Sequence, residues 1–311
     1  MSRQDTIEID ALGKQYGSVA ALHDINATIP AGQVTGLLGH NGAGKSTLIK
    51  LILGLIKPTR GQIRVLGESP SGVKAHTIRQ HLGYLPESVS FYTNLTGAEV
   101  IDYFAQLKRV STPVGRKLLE RVGLGPAQDR RVGGYSKGMR QRLGLAQALL
   151  SQPDVVLLDE PTSGLDPQAT RELYGIIDDL RAAGRCVLIS SHLLAELEPH
   201  IDRALILREG RLLASGSLGE LQNRARLPST IRLQLIQDGS TDALPPCLQA
   251  LDARRTIRDG NQVEIHVSDD EKMPLLRDLL NHPRIANVRI TEPSLSSLYD
   301  WLGANHAQGA A

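Results

Sequence analysis

Gly39-His40-Asn41-Gly42-Ala43-Gly44-Lys45-Ser46 fits the pattern GxxxxGK[ST], and its reading decides the fold. In that pattern glycines let backbone N–H groups close around the β- and γ-phosphates of a nucleotide, Lys45 adds a point charge, and Ser46 offers a hydroxyl to Mg²⁺. The run Val34-Thr35-Gly36-Leu37-Leu38 before the loop suits a buried strand, and Leu48, Ile49, Leu51, Ile52 and Leu55 after it give a helical face. Strand, glycine loop and helix are the setting the chemistry needs, because a phosphate at a helix N-terminus is also favoured by the macrodipole. The bland alternative is a glycine-rich turn followed by Lys-Ser through chance, and further motifs weigh against it.

Val155-Val156-Leu157-Leu158 is a second candidate buried strand, and it ends in Asp159-Glu160. A carboxylate at a strand end beside a phosphate loop can hold Mg²⁺ through its water shell, while the next carboxylate can orient or deprotonate an attacking water. Asp159 is thus the metal partner and Glu160 the base; alone, such a pair reads better as solvated acids. Pro161-Thr162-Ser163-Gly164-Leu165-Asp166 follows at once, and a third apolar strand, Cys186-Val187-Leu188-Ile189, leads into Ser190-Ser191-His192. A lone histidine there would be a structural one more often than a functional one. Upstream, Tyr135-Ser136-Lys137-Gly138-Met139-Arg140-Gln141 opens another helical stretch, with Ser136 as its N-cap.

In this order the motifs resemble those of ATP-binding cassette ATPases, over residues from about Ile7 to about Gly216. The resemblance implies an α/β P-loop NTPase core with an antiparallel β subdomain and a helical subdomain at about residues 88–150. It implies that Gly39, His40, Asn41, Gly42, Ala43, Gly44, Lys45, Ser46 and Thr47 bind the nucleotide of ATP, with Ser46 and Asp159 on Mg²⁺. It makes Glu160 and His192 catalytic, the second through the γ-phosphate and the geometry of the water. Tyr16 stands where the family stacks an aromatic on adenine. Ser136, Gly138 and Met139 belong to the signature that caps the phosphates from a second subunit, and Asp166 to the loop that crosses the dimer interface.

Two positions depart from the commonest pattern. Glu87 stands where the family usually has Gln, and a carboxylate can accept from metal-bound water but cannot donate an amide hydrogen bond. The signature reads YSKGM where LSGGQ is usual, keeping Ser136 and Gly138 and changing the flanks at Lys137 and Met139. Both variants look like those of daunorubicin-resistance and sodium-export ATPases. The combined wording, with His40 in place of the usual proline, residues 83–100 and residues 135–150, is similar to the NosF subfamily, which serves copper-site maturation of nitrous oxide reductase. That implies a homodimer, a separate integral membrane permease and a periplasmic maturation protein reached through it. The expected location is the cytoplasmic side, peripheral on the inner face of the cell membrane.

Composition agrees with a motor protein. At 311 residues the chain suggests two domains, and 41% hydrophobic content can bury a substantial aliphatic core. A net charge of +2 with mixed charge runs gives no basic stripe, so nucleic acid is not an expected partner. A cassette protein acting on ribosomes or DNA would more often carry tandem cassettes or a long coiled coil, and this chain has one phosphate loop and no sustained heptads. The 2 cysteines, Cys186 and Cys247, argue against a disulfide framework, and no run approaches a bilayer span.

Thr96-Gly97-Ala98-Glu99 is a capping box, after which Val100, Phe104 and Leu107 share a face; Met139, Leu143, Ala146 and Leu150 share another. Arg208-Glu209-Gly210-Arg211 reads as a hairpin turn closing an ATPase domain of residues 1–222. Residues 223–303 then read strand, short helix at Leu248 to Leu251, two strands about an Asp259-Gly260 turn, helix at Met273 to Leu280, and strand at Ile285 to Ile290. This βαββαβ order predicts a small α+β ferredoxin-like domain for dimer contact or regulation. Residues 292–302 resemble a closing helix, and 304–311 are expected to be a flexible tail. His266 and His282 stand apart without Cys partners and read as surface or packing residues, not copper ligands.

Overall fold

A computed structural model of the chain describes residues 5–225, 227–236, 256–259, 261–280 and 282–309. The chain divides into two compact units, Met1–Ser217 and Leu218–Ala311. The division therefore falls at the start of a helix and not inside it at residue 222.

The first unit opens with β1 (Asp5–Tyr16) and β2 (Val19–Pro30), an antiparallel hairpin in which Tyr16 pairs with Val19. Next come β3 (Val34–Leu38), α1 (Lys45–Ile52) and β4 (Arg60–Val65), the last pairing with the free side of β1 in a sheet of order β2-β1-β4. Then follow α2 (Ala75–Gln80), β5 (Leu82–Leu85), α3 (Gly97–Leu107), α4 (Thr112–Arg121) and α5 (Lys137–Leu149). The remaining elements are β6 (Val155–Asp159), α6 (Pro167–Ala182), β7 (Cys186–Ser191), α7 (Leu194–Leu197), β8 (Arg203–Arg208) and β9 (Arg211–Ser217).

The central sheet has the order β5-β6-β7-β3-β8-β9, parallel except for β9. Every residue of β3, β6 and β7 is buried, which is why these strands read as unbroken apolar runs and not as alternating ones. Leu37, Leu157 and Leu188 from this sheet share one core with Leu48, Ile49, Leu51 and Ile52 of α1 and with Ile7, Ile25 and Ile29 of the small sheet. Because β7 lies between β3 and β6, with Leu38 opposite Ser191 and Asp159 opposite Ser190, the three strand ends open side by side. Carboxyl ends of parallel strands are where such folds place ligands.

Helix ends shift two of the expected faces. Leu55 lies past the Leu53 cap of α1 and the left-handed Gly54, and it is exposed. In α3 the buried face runs through Val100, Ile101 and Ala105, leaving Leu107 exposed in the last turn. The Thr96–Glu99 capping box is formed, with Glu99 N donating to Thr96 Oγ1 at 3.1 Å and Thr96 N to Glu99 Oε2 at 2.7 Å. The β8–β9 turn has Glu209 and Gly210 both at positive φ, as the tight hairpin demands.

The second unit holds α8 (Leu218–Ala225), β10 (Ser229–Leu235), β11 (Thr256–Asp259), β12 (Gln262–Val267), α9 (Asp269–Leu280), β13 (Ile285–Thr291) and α10 (Leu295–Gly309). Its antiparallel sheet has the order β11-β12-β10-β13. Ile231, Leu233, Val263, Ile265 and Val267 pack with Leu275, Leu276 and Leu279 of α9. α9 begins four residues before the expected Met273, since Ser268 and Glu271 form the start: Ser268 N donates to Glu271 Oε2 and Lys272 N to Ser268 O. α10 runs on to Gly309, where a tail from 304 was expected. The expected helix at Leu248 to Leu251, Cys247 and Gly260 lie outside the described residues. Among the described residues no helix is long and apolar enough to cross a membrane.

Candidate functional site

The loop after β3 is shaped by its glycines. A Cβ on Gly39 would sit 2.5 Å from Leu207 O, and Gly44, at φ 107°, caps α1 with no side-chain hydrogen bond. The first N–H groups of α1 are thus free of a capping side chain and point to the loop, the arrangement that receives an anion. Lys45 turns its side chain back over the loop, Nζ donating to Gly39 O at 2.5 Å and His40 O at 3.3 Å. The same ammonium lies 3.9 Å from Glu160 Oε1.

Asp159 and Glu160 leave the end of β6 beside the end of β7. Ser190 Oγ donates to Asp159 Oδ1 at 2.5 Å and accepts from Glu160 N at 3.0 Å, so a single hydroxyl fixes both acids. Glu160 stands at φ 47°, a left-handed conformation that costs a non-glycine residue about 1–3 kcal/mol and persists where the surroundings enforce it. Its Oε2 lies 2.8 Å from His192 Nδ1, which is the donor whenever the Glu160 carboxylate is ionised. Lys45, Asp159 and Glu160 are buried, and His192 is half exposed.

These groups line one cleft of about 250 Å³, bounded by Ala21, residues 40–47, Glu87, Asp159, Glu160 and His192. Gly39 lies behind the lining and acts through its carbonyl on Lys45. Burial pushes the Tyr84 phenol up to about 12, with Asp159 and then Glu87 adding to the rise, so the acids impose a negative field on this end of the sheet. Three carboxylates against Lys45 suit a hard cation, and Ser46, Asp159 and Glu87 offer oxygen. Among the described residues no three acidic, His or Cys side chains form a metal cluster by themselves. The donor set fits Mg²⁺ shared with phosphate oxygens, since that ion takes one or two carboxylates and keeps waters.

Besides Gly39, the expected site residues Tyr16, Ser136, Gly138, Met139 and Asp166 stand outside the cleft lining. Tyr16 is half exposed beside the β1–β2 turn, with Lys14 Nζ 5.0 Å from its ring centroid. Ser136 caps α5 by accepting from Met139 N at 3.2 Å, and Gly138 lies against Leu165 and Gly164. Asp166 caps α6, accepting from Ala169 N at 2.8 Å. The residues missed were Ser190, Ala21 and Tyr84, none of which carries a local sequence signal for its place; that of Ser190 follows from its pairing with Asp159 across β6 and β7. His266 meets Thr230 and Glu264, and His282 accepts from Arg284 N, both as packing residues.

A profile of the ABC transporter family matches residues 22–163. An uncharacterised ABC transporter ATP-binding protein of Nostoc is 44% identical over 209 residues, which are 65% of this chain and 62% of that protein. The bacitracin transport ATP-binding protein of Enterococcus faecalis is 39% identical over 73% of this chain and 74% of its own length. The daunorubicin/doxorubicin resistance ATP-binding protein of Streptomyces peucetius is 32% identical over 96% of this chain and 93% of its own length. Among solved structures, an ATP-binding subunit of an ABC transporter superposes with a TM-score of 0.66 at 32% identity, over 70% of this chain and 92% of that one.

Proposed function

Since the chain belongs to the ABC transporter ATP-binding family, we propose that its cleft hydrolyses ATP as one half of a two-chain site that drives a membrane permease. The observation that carries this reading is the meeting of Lys45, Asp159, Glu160 and His192 at three adjacent strand ends, beside a helix start open to phosphate. Residues 39–47 hold the phosphates, and Lys45 leaves its contacts to Gly39 O and His40 O for the β- and γ-oxygens. Ser46 and Asp159, with Glu87 beside them, would hold Mg²⁺, which would supply neutralisation of phosphate charge. Glu160 takes a proton from the attacking water as the new O–P bond forms and the bond from γ-phosphorus to the β–γ bridging oxygen breaks, giving ADP and phosphate. His192 holds the Glu160 carboxylate in place and faces the γ-phosphate.

Ser136, Gly138, Met139 and Asp166 are the residues offered to a partner's nucleotide, which accounts for their lying outside the cleft of their own chain. Tyr16 is the adenine platform, reached over the Ala21 wall of the cleft. A homodimer pairing with a separate integral permease agrees with what family members do, and it sets the chain on the cytoplasmic face of the membrane. The second unit is read as a ferredoxin-like accessory domain: numbered within the unit, its described strands run 2-3-1-4, the order of that fold. Its role is dimer contact or regulation.

For cargo, drug export is favoured by the near full-length match to the daunorubicin/doxorubicin protein and by the bacitracin relative. The copper-maturation reading, with its periplasmic maturation protein, rests on the wording of the sequence at His40, residues 83–100 and residues 135–150. Deleting the gene separates them: loss of resistance to an exported drug supports the first, loss of copper from nitrous oxide reductase the second. The hydrolytic reading is tested by Glu160→Gln, which should bind ATP and hydrolyse it about 10²–10⁴-fold more slowly. Normal turnover would move the base to another residue.

A further inference from the structure

Lys137 opens α5 one residue after the Ser136 cap, and its side chain folds back onto the turn that follows Glu160. Its Nζ donates to Ser163 Oγ at 3.0 Å. A Cβ on Gly164, a left-handed residue at φ 79°, would lie 2.6 Å from Lys137 Cδ and 3.0 Å from Cε, so the aliphatic stem lies flat against the turn. Next to it a Cβ on Gly138 would lie 3.3 Å from Leu165 Cδ2. The turn itself is tied to the acid: Ser163 N donates to Glu160 O at 3.1 Å, and Leu165 N to Thr162 O at 3.1 Å.

We propose that Lys137 is a positioning residue for ATP hydrolysis, latching the first turn of α5 to the turn that carries Glu160. The proposal rests on the reading of Glu160 as base. The turn from Glu160 to Leu165 is anchored at its start by Ser190 and at its end by the Asp166 cap of α6. Its middle is held from outside by Lys137. In a two-chain site α5 begins at the partner's nucleotide while Glu160 serves the nucleotide of its own chain, so this contact passes movement from one site to the other. A small side chain at 137 would remove the hydrogen bond to Ser163 and the packing on Gly164 together. The stem packs on backbone and the ammonium reaches a neutral hydroxyl, so the contact needs both length and a donor.

The bond is exposed and modest, and its loss should show as geometry at Glu160: Lys137→Met, which keeps the stem, and Ser163→Ala should each lower kcat by about 5–20-fold, since misplacing a reacting group by about 1 Å costs up to about 10²-fold. On the full-length chain the KM for ATP and the thermal midpoint should stay unchanged in both. The double variant should be no slower than the single ones, because both cut the same link. Lys137→Arg, which still reaches Ser163, should recover most of the rate. Losses that multiply in the double variant, a raised KM with unchanged kcat, an unaltered rate, or no recovery with Arg would each overturn the latch. Glu160→Gln measured in parallel separates the two readings: full activity there removes the base assignment, while the Lys137–Ser163 cycle still reports on the latch.

Discussion

Ser190 joins the two acids of the cleft through one oxygen, donating to Asp159 and accepting from Glu160 N. Ser190→Ala removes both hydroxyl links, leaving Glu160 N only its bond to the residue-190 carbonyl at 3.2 Å, and keeps the buried strand intact. Activity should fall about 10–100-fold, the usual effect of losing a group that orients a metal ligand or base, with little change in the unfolding temperature. Steady-state ATPase assays beside a melting curve check this. Lys45→Ala removes a charge that meets phosphate in ground and transition states, so nucleotide affinity and turnover should fall together in titration and rate measurements. The loop residues, Asp159, Glu160 and His192 are legible in the sequence because each follows directly on a buried apolar strand. Ser190 is not, since its role depends on the register that sets Asp159 opposite it across β6 and β7, a pairing no local pattern carries.

The capping box of α3 joins local sequence to stability. Thr96→Ala should destabilise the first unit by about 1 kcal/mol in denaturant unfolding, the ordinary loss for a cap. Glu99 reaches back to the Thr96 backbone N–H, and that bond, followed by the Thr96 hydroxyl, holds its carboxyl below the usual Glu value. A depressed folded-state pKa adds stability at pH above the unfolded value and loses it as pH falls through the folded one. Glu99→Gln should therefore lower stability at neutral and alkaline pH, converge on the parent protein at low pH, and so flatten the acid side of the profile, as melting temperatures across pH would show. Leu188, fully buried at the centre of β7, should cost about 2–5 kcal/mol when cut to Ala. Element type is legible from apolar period and caps, but helix ends are not: Leu55 and Leu107 keep the apolar spacing, and the backbone leaves the helix or the core before it can bury them.

At the scale of the molecule, the two units are separate in their cores, one built on Leu48, Leu157 and Leu188 and the other on Ile231, Ile265 and Leu279. Cutting the chain after Ser217 should leave ATP binding in place and weaken dimer stability or stimulation by the permease; unchanged assembly and stimulation would withdraw the accessory role. The order of motifs makes the two-part division legible, whereas its position before α8 follows from where that helix packs, with Gln222 donating to Pro293 O inside the second unit. The central claim is that each ATP is enclosed by two chains, with the phosphate loop of one facing Ser136 and Gly138 of the other. It is tested most directly by an experimental structure of full-length Glu160→Gln with ATP and Mg²⁺. The account predicts two nucleotides per dimer, each between residues 39–47 of one copy and the start of α5 of its partner. ATP held by one chain alone, with Ser136 of every copy away from any phosphate, would contradict it.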